Sequence, residues 1–156
     1  MDCRRALLEA QGDIEKAREL LKQQGLVLAK KKAGRTVSQG LIEAYIHGGG
    51  RIGVMVEINC ETDFTARTNE FRQLAHHLAM QIAAMSPQVI SGEELSKTIG
   101  MEPQTACLLL QPYIKDPTLT VQDIIDETIA KVGENIRVSR FSRFELGEQE
   151  SENDGS

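Results

Sequence analysis

Apolar residues occupy every second position from Val54 to Cys60, which predicts a β-strand. Successive side chains of a strand point to opposite faces, and one face of this strand is apolar throughout: Val54, Val56, Ile58 and Cys60. A polar turn follows, and we call four of its residues the tip: Thr62, Asp63, Phe64 and Thr65. The strand would hold the tip from one side, so that an acidic residue and an aromatic residue lie beyond it.

Two further strands are predicted around this one. An alternating segment from Leu41 to His47 comes before it. The intervening Gly48-Gly49-Gly50 is typical of a hairpin turn, because glycine adopts positive φ readily. The third strand is predicted from Ile136 to Glu145, and its apolar alternation changes phase near Ser139 and Arg140, which indicates a β-bulge. The pattern predicts a three-stranded antiparallel sheet.

Helical spacing of apolar residues predicts two short helices within residues 2–24. Asp13 is a candidate N-cap for the second helix, and Gly25 is its predicted end. Two helices of this length bury too little to be stable alone, so the pair needs a third helix or a partner surface. The basic residues that follow favour a solvated linker over Lys30–Ser38, with RNA contact as the alternative.

Two more helices complete the predicted fold, whose class is α+β. The longer runs from Phe71 to about Met85 and has apolar residues at helical spacing along one face. The last helix begins after Thr120, which can cap it, and ends at Gly133. Between Lys97 and Asp116 the periodicity fails and glycine and proline are frequent, so no element is predicted there.

Composition limits the possible classes of protein. The chain has 156 residues, of which 40% are hydrophobic and 26% charged, as expected for one globular domain with a small appendage. No apolar run approaches the roughly 18 residues of a membrane span, and no signal peptide is evident. We therefore expect a cytoplasmic protein without a membrane partner, the alternative being an organelle matrix or plastid stroma. A net charge of -5 disfavours direct binding of nucleic acid.

The candidate chemical groups do not form a catalytic or metal site in the sequence. Cys60 falls on the apolar side of its strand, so a buried thiol is favoured over a nucleophile. His76 and His77 are adjacent and point about 100° apart on a helix, which prevents joint chelation of a metal ion. We expect no cofactor and no bound metal. The pattern leaves two alternatives for Phe64, a core side chain or a surface presented to a partner, and Asp63 can also cap the helix that follows.

Seven strings in this sequence resemble translation elongation factor Ts in its short bacterial and plastid form, in the same order and spacing. The resemblance covers about residues 1–90 and 111–147, and the string N-C-E-T-D-F is its most specific part. The strings are Met1–Leu7, Gly12-Asp13, Lys31–Ala33, Gly50–Val54, Asn59–Phe64, Leu78–Ala84 and Ile129–Ile136.

The resemblance implies a guanine nucleotide exchange factor for elongation factor Tu, in both its GDP-bound and its nucleotide-free forms, and not a bond-breaking enzyme. In the family an Asp-Phe tip enters the GTPase domain, the aromatic ring wedges between helices, and Mg²⁺ is dislodged from the nucleotide site. The matching residues are Thr62, Asp63, Phe64 and Thr65, the last in place of the family's usual Val. Further partner contacts are expected at Met1, His76 and His77.

The resemblance also implies a domain division and two departures from the family. The family normally has one more helix before Met1, and a longer segment between Glu94 and Leu110. Short-form members tend to form homodimers. The alternative function is a docking module that binds the GTPase without efficient exchange. The expected units are 1–27, an incomplete helical module similar to ubiquitin-associated domains; 28–39, a linker; 40–146, the core; and 147–156, a disordered acidic tail.

Overall fold

The computed structural model describes residues 3–97 and 100–148, without the side chains of Ser96 and Lys97. The expectations for Met1 and for the tail from residue 149 onward lie outside these ranges. The α+β class is confirmed. The helices are α1 (Cys3–Glu9), α2 (Ile14–Lys32), α3 (Asp63–Ala66), α4 (Asn69–Met85), α5 (Pro103–Ala106) and α6 (Val121–Val132). The strands are β1 (Gln39–His47), β2 (Ile52–Cys60), β3 (Pro112–Tyr113), β4 (Asp116–Thr120) and β5 (Ile136–Glu145).

The predicted three-stranded antiparallel sheet is confirmed, and its strand order is β1-β2-β5. The glycines of the β1–β2 turn have φ values of 60°, 70° and 87°, which explains their presence there. In β5, Arg140 pairs with Glu57 but Val138 pairs with Ile58. Ser139 is therefore the extra residue of the predicted bulge. The side of β2 that was expected to be apolar is buried along its whole length.

One face of this sheet packs against α4, which in turn packs against α6, and together they form one core. The Thr68 hydroxyl caps the start of α4, and Ser86 ends that helix in the left-handed conformation. Thr120 and Asp123 form a capping box at the start of α6, and Gly133 ends it with a φ of 75°. Both predicted helices are confirmed, and Thr120 and Gly133 are the predicted start and end of α6, whereas the caps of α4 were not predicted.

The prediction that Gly25 ends α2 is wrong, because the helix continues to Lys32. Gly25 is buried in mid-helix against α6, where an added Cβ would lie 3.7 Å from the Asp126 carbonyl oxygen, an ordinary van der Waals distance. Lys30, which the sequence placed in a linker, therefore belongs to the last helical turn. Only 33–38 connect α2 to β1 without helix or strand.

Two buried glutamines organise the segment between α4 and α6, which includes the stretch from Lys97 to Asp116 where no element was predicted. Gln81 of α4 donates to the Pro112 carbonyl at 3.1 Å and accepts from the Ile114 N–H at 2.9 Å. Gln111 accepts from Gln81 at 3.2 Å and donates to the Thr105 carbonyl at 2.8 Å. These side chains satisfy backbone groups of Thr105, Pro112 and Ile114, beside a strand, β3, of only two residues.

Candidate functional site

The tip forms a short helix at the end of β2. Thr62 is the N-cap of α3, and its hydroxyl accepts a hydrogen bond from the Thr65 N–H at 3.3 Å. Asp63 is the first helical residue and not the cap that the sequence allowed as its additional role. Phe64 follows and is 75% exposed, so the first of the two alternatives for this side chain, a place in the core, is excluded.

Thr65 differs from the other three tip residues because its side chain faces the interior, with 4% exposure. Its carbonyl accepts from the Thr68 hydroxyl at 2.7 Å, which joins α3 to the cap of α4. Asp63 and Phe64 therefore stand on the outer side of a turn whose inner side is packed.

A carboxylate from another part of the chain holds the base of the tip. One oxygen of Glu134 accepts from the backbone N–H groups of Glu61 at 3.2 Å and Thr62 at 3.0 Å. Its other oxygen accepts from the Thr62 hydroxyl at 2.7 Å. Desolvation raises the pKa of Glu134, but hydrogen bonds from Thr62, Thr65 and Glu61 outweigh it and lower that pKa below its usual value.

The Cys60 thiol lies directly under the tip. It is fully buried and donates to the Thr62 carbonyl at 3.1 Å. Burial, with a smaller contribution from the charge of Glu134, raises the pKa of Cys60 to about 11. The thiol is therefore protonated near neutral pH, which disfavours a nucleophilic role.

The outer side of the tip continues into the first turn of α4. Asp63 pairs with Arg67 at 2.9 Å, and both side chains are solvent-exposed. Phe64 and Arg67 border a shallow surface depression together with the start of α4, Thr68, Asn69 and Glu70. An exposed ring beside an ion pair is a surface suited to a protein partner, since aromatic and Arg side chains are enriched at interfaces.

The two histidines lie apart from the tip. His76 is seven residues after the start of α4, roughly 10 Å along the helix. It lies 3.7 Å from a Glu43 oxygen and meets the edge of the Tyr45 ring. His77 contacts the Lys115 ammonium at 2.9 Å, and burial, then the charges of Lys115 and His76, lower its pKa. No cluster of three or more metal-ligating side chains occurs among the described residues.

The N-terminal pair of helices has an apolar surface of its own. Ala6, Ala10 and Ala17 pack between α1 and α2, which leaves Leu8 and Ile14 exposed. A groove on this pair is lined by Arg4, Leu7, Leu8, Gln11 and Gly12. Asp13 caps α2 as predicted, through a hydrogen bond from the Lys16 N–H at 3.2 Å. No helix in the described part of the chain is long and apolar enough to cross a membrane.

The comparisons with known proteins decide the family. A sequence model of elongation factor Ts matches residues 13–104. Elongation factor Ts of Carboxydothermus hydrogenoformans is 48% identical over 178 aligned positions, which cover 95% of this chain and 82% of the relative. The chain belongs to the elongation factor Ts family.

Other members of the elongation factor Ts family match to a similar degree. The protein from Caldanaerobacter subterraneus subsp. tengcongensis is 48% identical, with 95% of this chain and 89% of the relative covered. The protein from Thermotoga maritima is 47% identical, with 95% and 88% covered. An alignment of 178 positions exceeds the 156 residues of the chain, so the first relative has internal residues that this chain lacks. This agrees with an internal shortening, whose position between Glu94 and Leu110 stays a prediction.

Glu134 is the residue of this site that the sequence analysis did not single out. A signal for it exists, since Glu134 comes directly after the Gly133 helix end and two residues before Ile136. Ile136 pairs with Cys60 in the sheet. Once β2 and β5 are assigned as antiparallel neighbours, the residues just before β5 must lie beside those just after β2.

Proposed function

We propose that this chain is a guanine nucleotide exchange factor that promotes release of GDP from elongation factor Tu. It acts by binding and not by breaking covalent bonds. The family membership supports the activity, and the exposed Phe64 on an ordered turn is the single observation that carries the mechanism. Asp63 and Phe64 enter the GTPase beside its nucleotide site, and Thr62 supports them from the base of the turn.

The energetics of this mechanism depend on Phe64 and on the partner's Mg²⁺. Burial of a phenylalanine side chain contributes roughly 1.5–3 kcal/mol. Mg²⁺ demands near-ideal octahedral geometry, so a small displacement of its ligands in the GTPase weakens the binding of the ion. By linkage, a factor that weakens GDP binding is itself bound more weakly by the GTPase when GDP is present. Each tenfold change in the affinity for GDP corresponds to a coupling free energy of about 1.4 kcal/mol.

The roles within the tip follow from exposure. Asp63 and Phe64 are the residues we assign to direct contact, whereas the buried Thr65 holds the turn from inside. His76 on α4 and the groove of the N-terminal helices are the further contacts with the GTPase. These surfaces, in a chain of net charge -5, favour a protein partner over nucleic acid. The proposed compartment is the cytoplasm.

Phe64→Ala tests the mechanism in an assay of fluorescent GDP release from elongation factor Tu. We expect the variant to fold, because Phe64 contributes almost nothing to the core, and to lose at least tenfold in stimulated release. Leu146→Ala is the control, since Leu146 is an apolar side chain that is 67% exposed just beyond the end of β5 and outside the proposed partner surfaces. An equal loss in both variants would contradict the assignment to the tip. Binding without any acceleration by the unmodified chain would favour the docking module.

We also propose that the chain forms a homodimer through the outer face of its sheet. Alternate residues of the three strands place Ile42, Ile46, Met55 and Phe144 on this face, all of them exposed. Ile46, Gly53 and Phe144 lie side by side across the strands, and Met55 lies in the next row. A contiguous apolar patch of this kind marks an interaction surface.

A further inference from the structure

We infer that Glu134 is a positioning residue for the tip, whose carboxylate holds Thr62 in the conformation that presents Phe64 to the partner. The inference rests on the exchange function proposed above and adds to it a residue outside the tip. Glu134 itself does not contact the nucleotide or its Mg²⁺ in this account. It acts through Thr62.

The Thr62 hydroxyl is the link between Glu134 and α3. This hydroxyl has one hydrogen, which it donates to Glu134 at 2.7 Å. The same oxygen accepts from the Thr65 N–H at 3.3 Å and so caps α3. Because the carboxylate takes the hydrogen, the lone pairs of the oxygen are left to face the helix. The other oxygen of Glu134 fixes the Thr62 backbone through its N–H at 3.0 Å.

The short helix depends on this support. α3 has only four residues, fewer than an isolated helix needs for stability in water. A tip that is already ordered before binding avoids part of the entropy cost of association. The hydrogen bonds of Glu134 therefore supply the preorganisation that an exposed aromatic residue on so short a helix would otherwise lack.

Glu134 is held in place independently of the tip. It follows Gly133, which ends α6, and precedes Asn135, whose amide donates to the Arg35 carbonyl at 3.0 Å. The Gly133 carbonyl accepts from the Lys32 ammonium at 2.7 Å. Since these bonds involve neither the Glu134 side chain nor the tip, Glu134→Ala removes the carboxylate and leaves the surrounding backbone fixed.

The first test is amide hydrogen exchange, measured by NMR on Glu134→Ala and on the control Glu127→Ala. Glu127 is an exposed carboxylate on α6 that pairs with Lys131 at 3.2 Å, away from the tip. We expect the amides of Thr62 and Thr65 to exchange at least tenfold faster in Glu134→Ala and unchanged in the control. Amides of α4 should keep their rates in both variants. Unchanged exchange at Thr62 in Glu134→Ala would overturn the inference.

The pH dependence of the same signals is a second readout. The folded-state pKa of Glu134 is lowered, so its contribution is fully present above the ordinary pKa of 4.5 and is lost as pH falls through the lowered value. Protection of the Thr62 amide should fall over that range in the unmodified chain. Glu134→Ala should lack this transition. The same transition in Glu134→Ala would assign it to another group and overturn the inference.

Exchange kinetics test whether Glu134 acts through Thr62. We expect Glu134→Ala to lower the maximal rate of GDP release at least fivefold, with a smaller change in the concentration that gives half-maximal stimulation, because the other contacts remain. In a double-mutant cycle, Glu134→Ala with Thr62→Ala should lose no more than the larger single variant. Additive losses would overturn the inference. If the unmodified chain does not accelerate release, the exchange proposal fails, and amide exchange alone decides whether Glu134 orders the tip.

Discussion

Cys60 occupies the position where β2 becomes the tip, and its surroundings keep it unreactive. Its side chain is completely buried, and its pKa of about 11 follows mainly from that burial. Cys107 is also buried, with a raised pKa, whereas Cys3 is exposed. The three thiols therefore differ in accessibility, and burial raises the pKa of Cys60 and of Cys107.

We expect the thiol-specific reagent DTNB to modify Cys3 rapidly at pH 8 and Cys60 at least a hundredfold more slowly. A thiol of pKa about 11 is only ~0.1% ionised at that pH, and the reagent must also reach a buried atom. The measurement is the time course of thiol release, with Cys3→Ser to identify the fast phase. Unfolding in guanidinium chloride should make all thiols react alike. A fast phase that remains in the folded Cys3→Ser variant would refute this account.

The position of a residue could be predicted from the sequence where the local pattern determines it, but not where pairing with a distant part of the chain does. The inward position of Cys60 follows from strand alternation alone, and the sequence predicted it. The exposure of Phe64 does not, because a single aromatic residue after a strand fits both a core and a surface position. The role of Glu134 comes from a neighbour more than 70 residues away, which only the sheet pairing brings close.

Helix α2 is the element in which the structure departs most from the sequence pattern. Glycine usually favours a helix end, but here Gly25 lies in mid-helix at normal helical φ and against α6. Lys22 pairs with Asp123 of α6 at 3.5 Å one turn earlier, and Ala29 is buried in the core one turn later. Glycine inside a helix costs about 1 kcal/mol relative to alanine. The packing of α2 against α6 outweighs this cost and keeps the helix continuous.

Gly25→Ala should stabilise the chain by about 0.5–1 kcal/mol, because alanine favours the helix and the added Cβ would be in ordinary contact with α6. Gly25→Leu should destabilise it by about 1–3 kcal/mol through overpacking. Urea unfolding measures both changes. Gly34→Leu is the control, since a Cβ at Gly34 would meet nothing within 4 Å. A destabilised Gly25→Ala variant would be inconsistent with this packing.

The remaining helices and strands differ in how clearly the local sequence marks where they begin and end. α6 begins and ends at residues with specific capping chemistry, Thr120 and Gly133, so its bounds could be predicted. The segment after α4 could not, because buried amide groups of Gln81 and Gln111, and not apolar periodicity, organise it. A glutamine in sequence carries no sign that it will be buried.

At the scale of the whole molecule, the sheet is covered on one face and open on the other. Its inner face forms one core with α4 and α6, while the outer face exposes apolar side chains of all three strands. Glu57 and Arg140 form an ion pair on the same outer face at 2.8 Å. This arrangement of apolar residues beside a charged pair is the surface on which the proposed homodimer depends.

Met55→Glu should convert the proposed dimer to a monomer, because Met55 lies in the middle of the central strand and a buried, unpaired charge is costly. Sedimentation equilibrium over a range of concentrations measures the change. Met101→Glu is the control, since Met101 belongs to no strand of the sheet. Monomeric unmodified protein at all accessible concentrations would exclude this dimer.

The unbroken course of α2 has a consequence for partner choice. Its 19 residues span about 28 Å, from the pair with α1 to the Lys32 bond beside Glu134. A continuous helix sets the separation and the relative rotation of the two surfaces at its ends, which here are the apolar groove and the base of the tip. Under the proposed function, a GTPase whose two docking points are spaced differently would engage either the groove or Phe64, but not both at once.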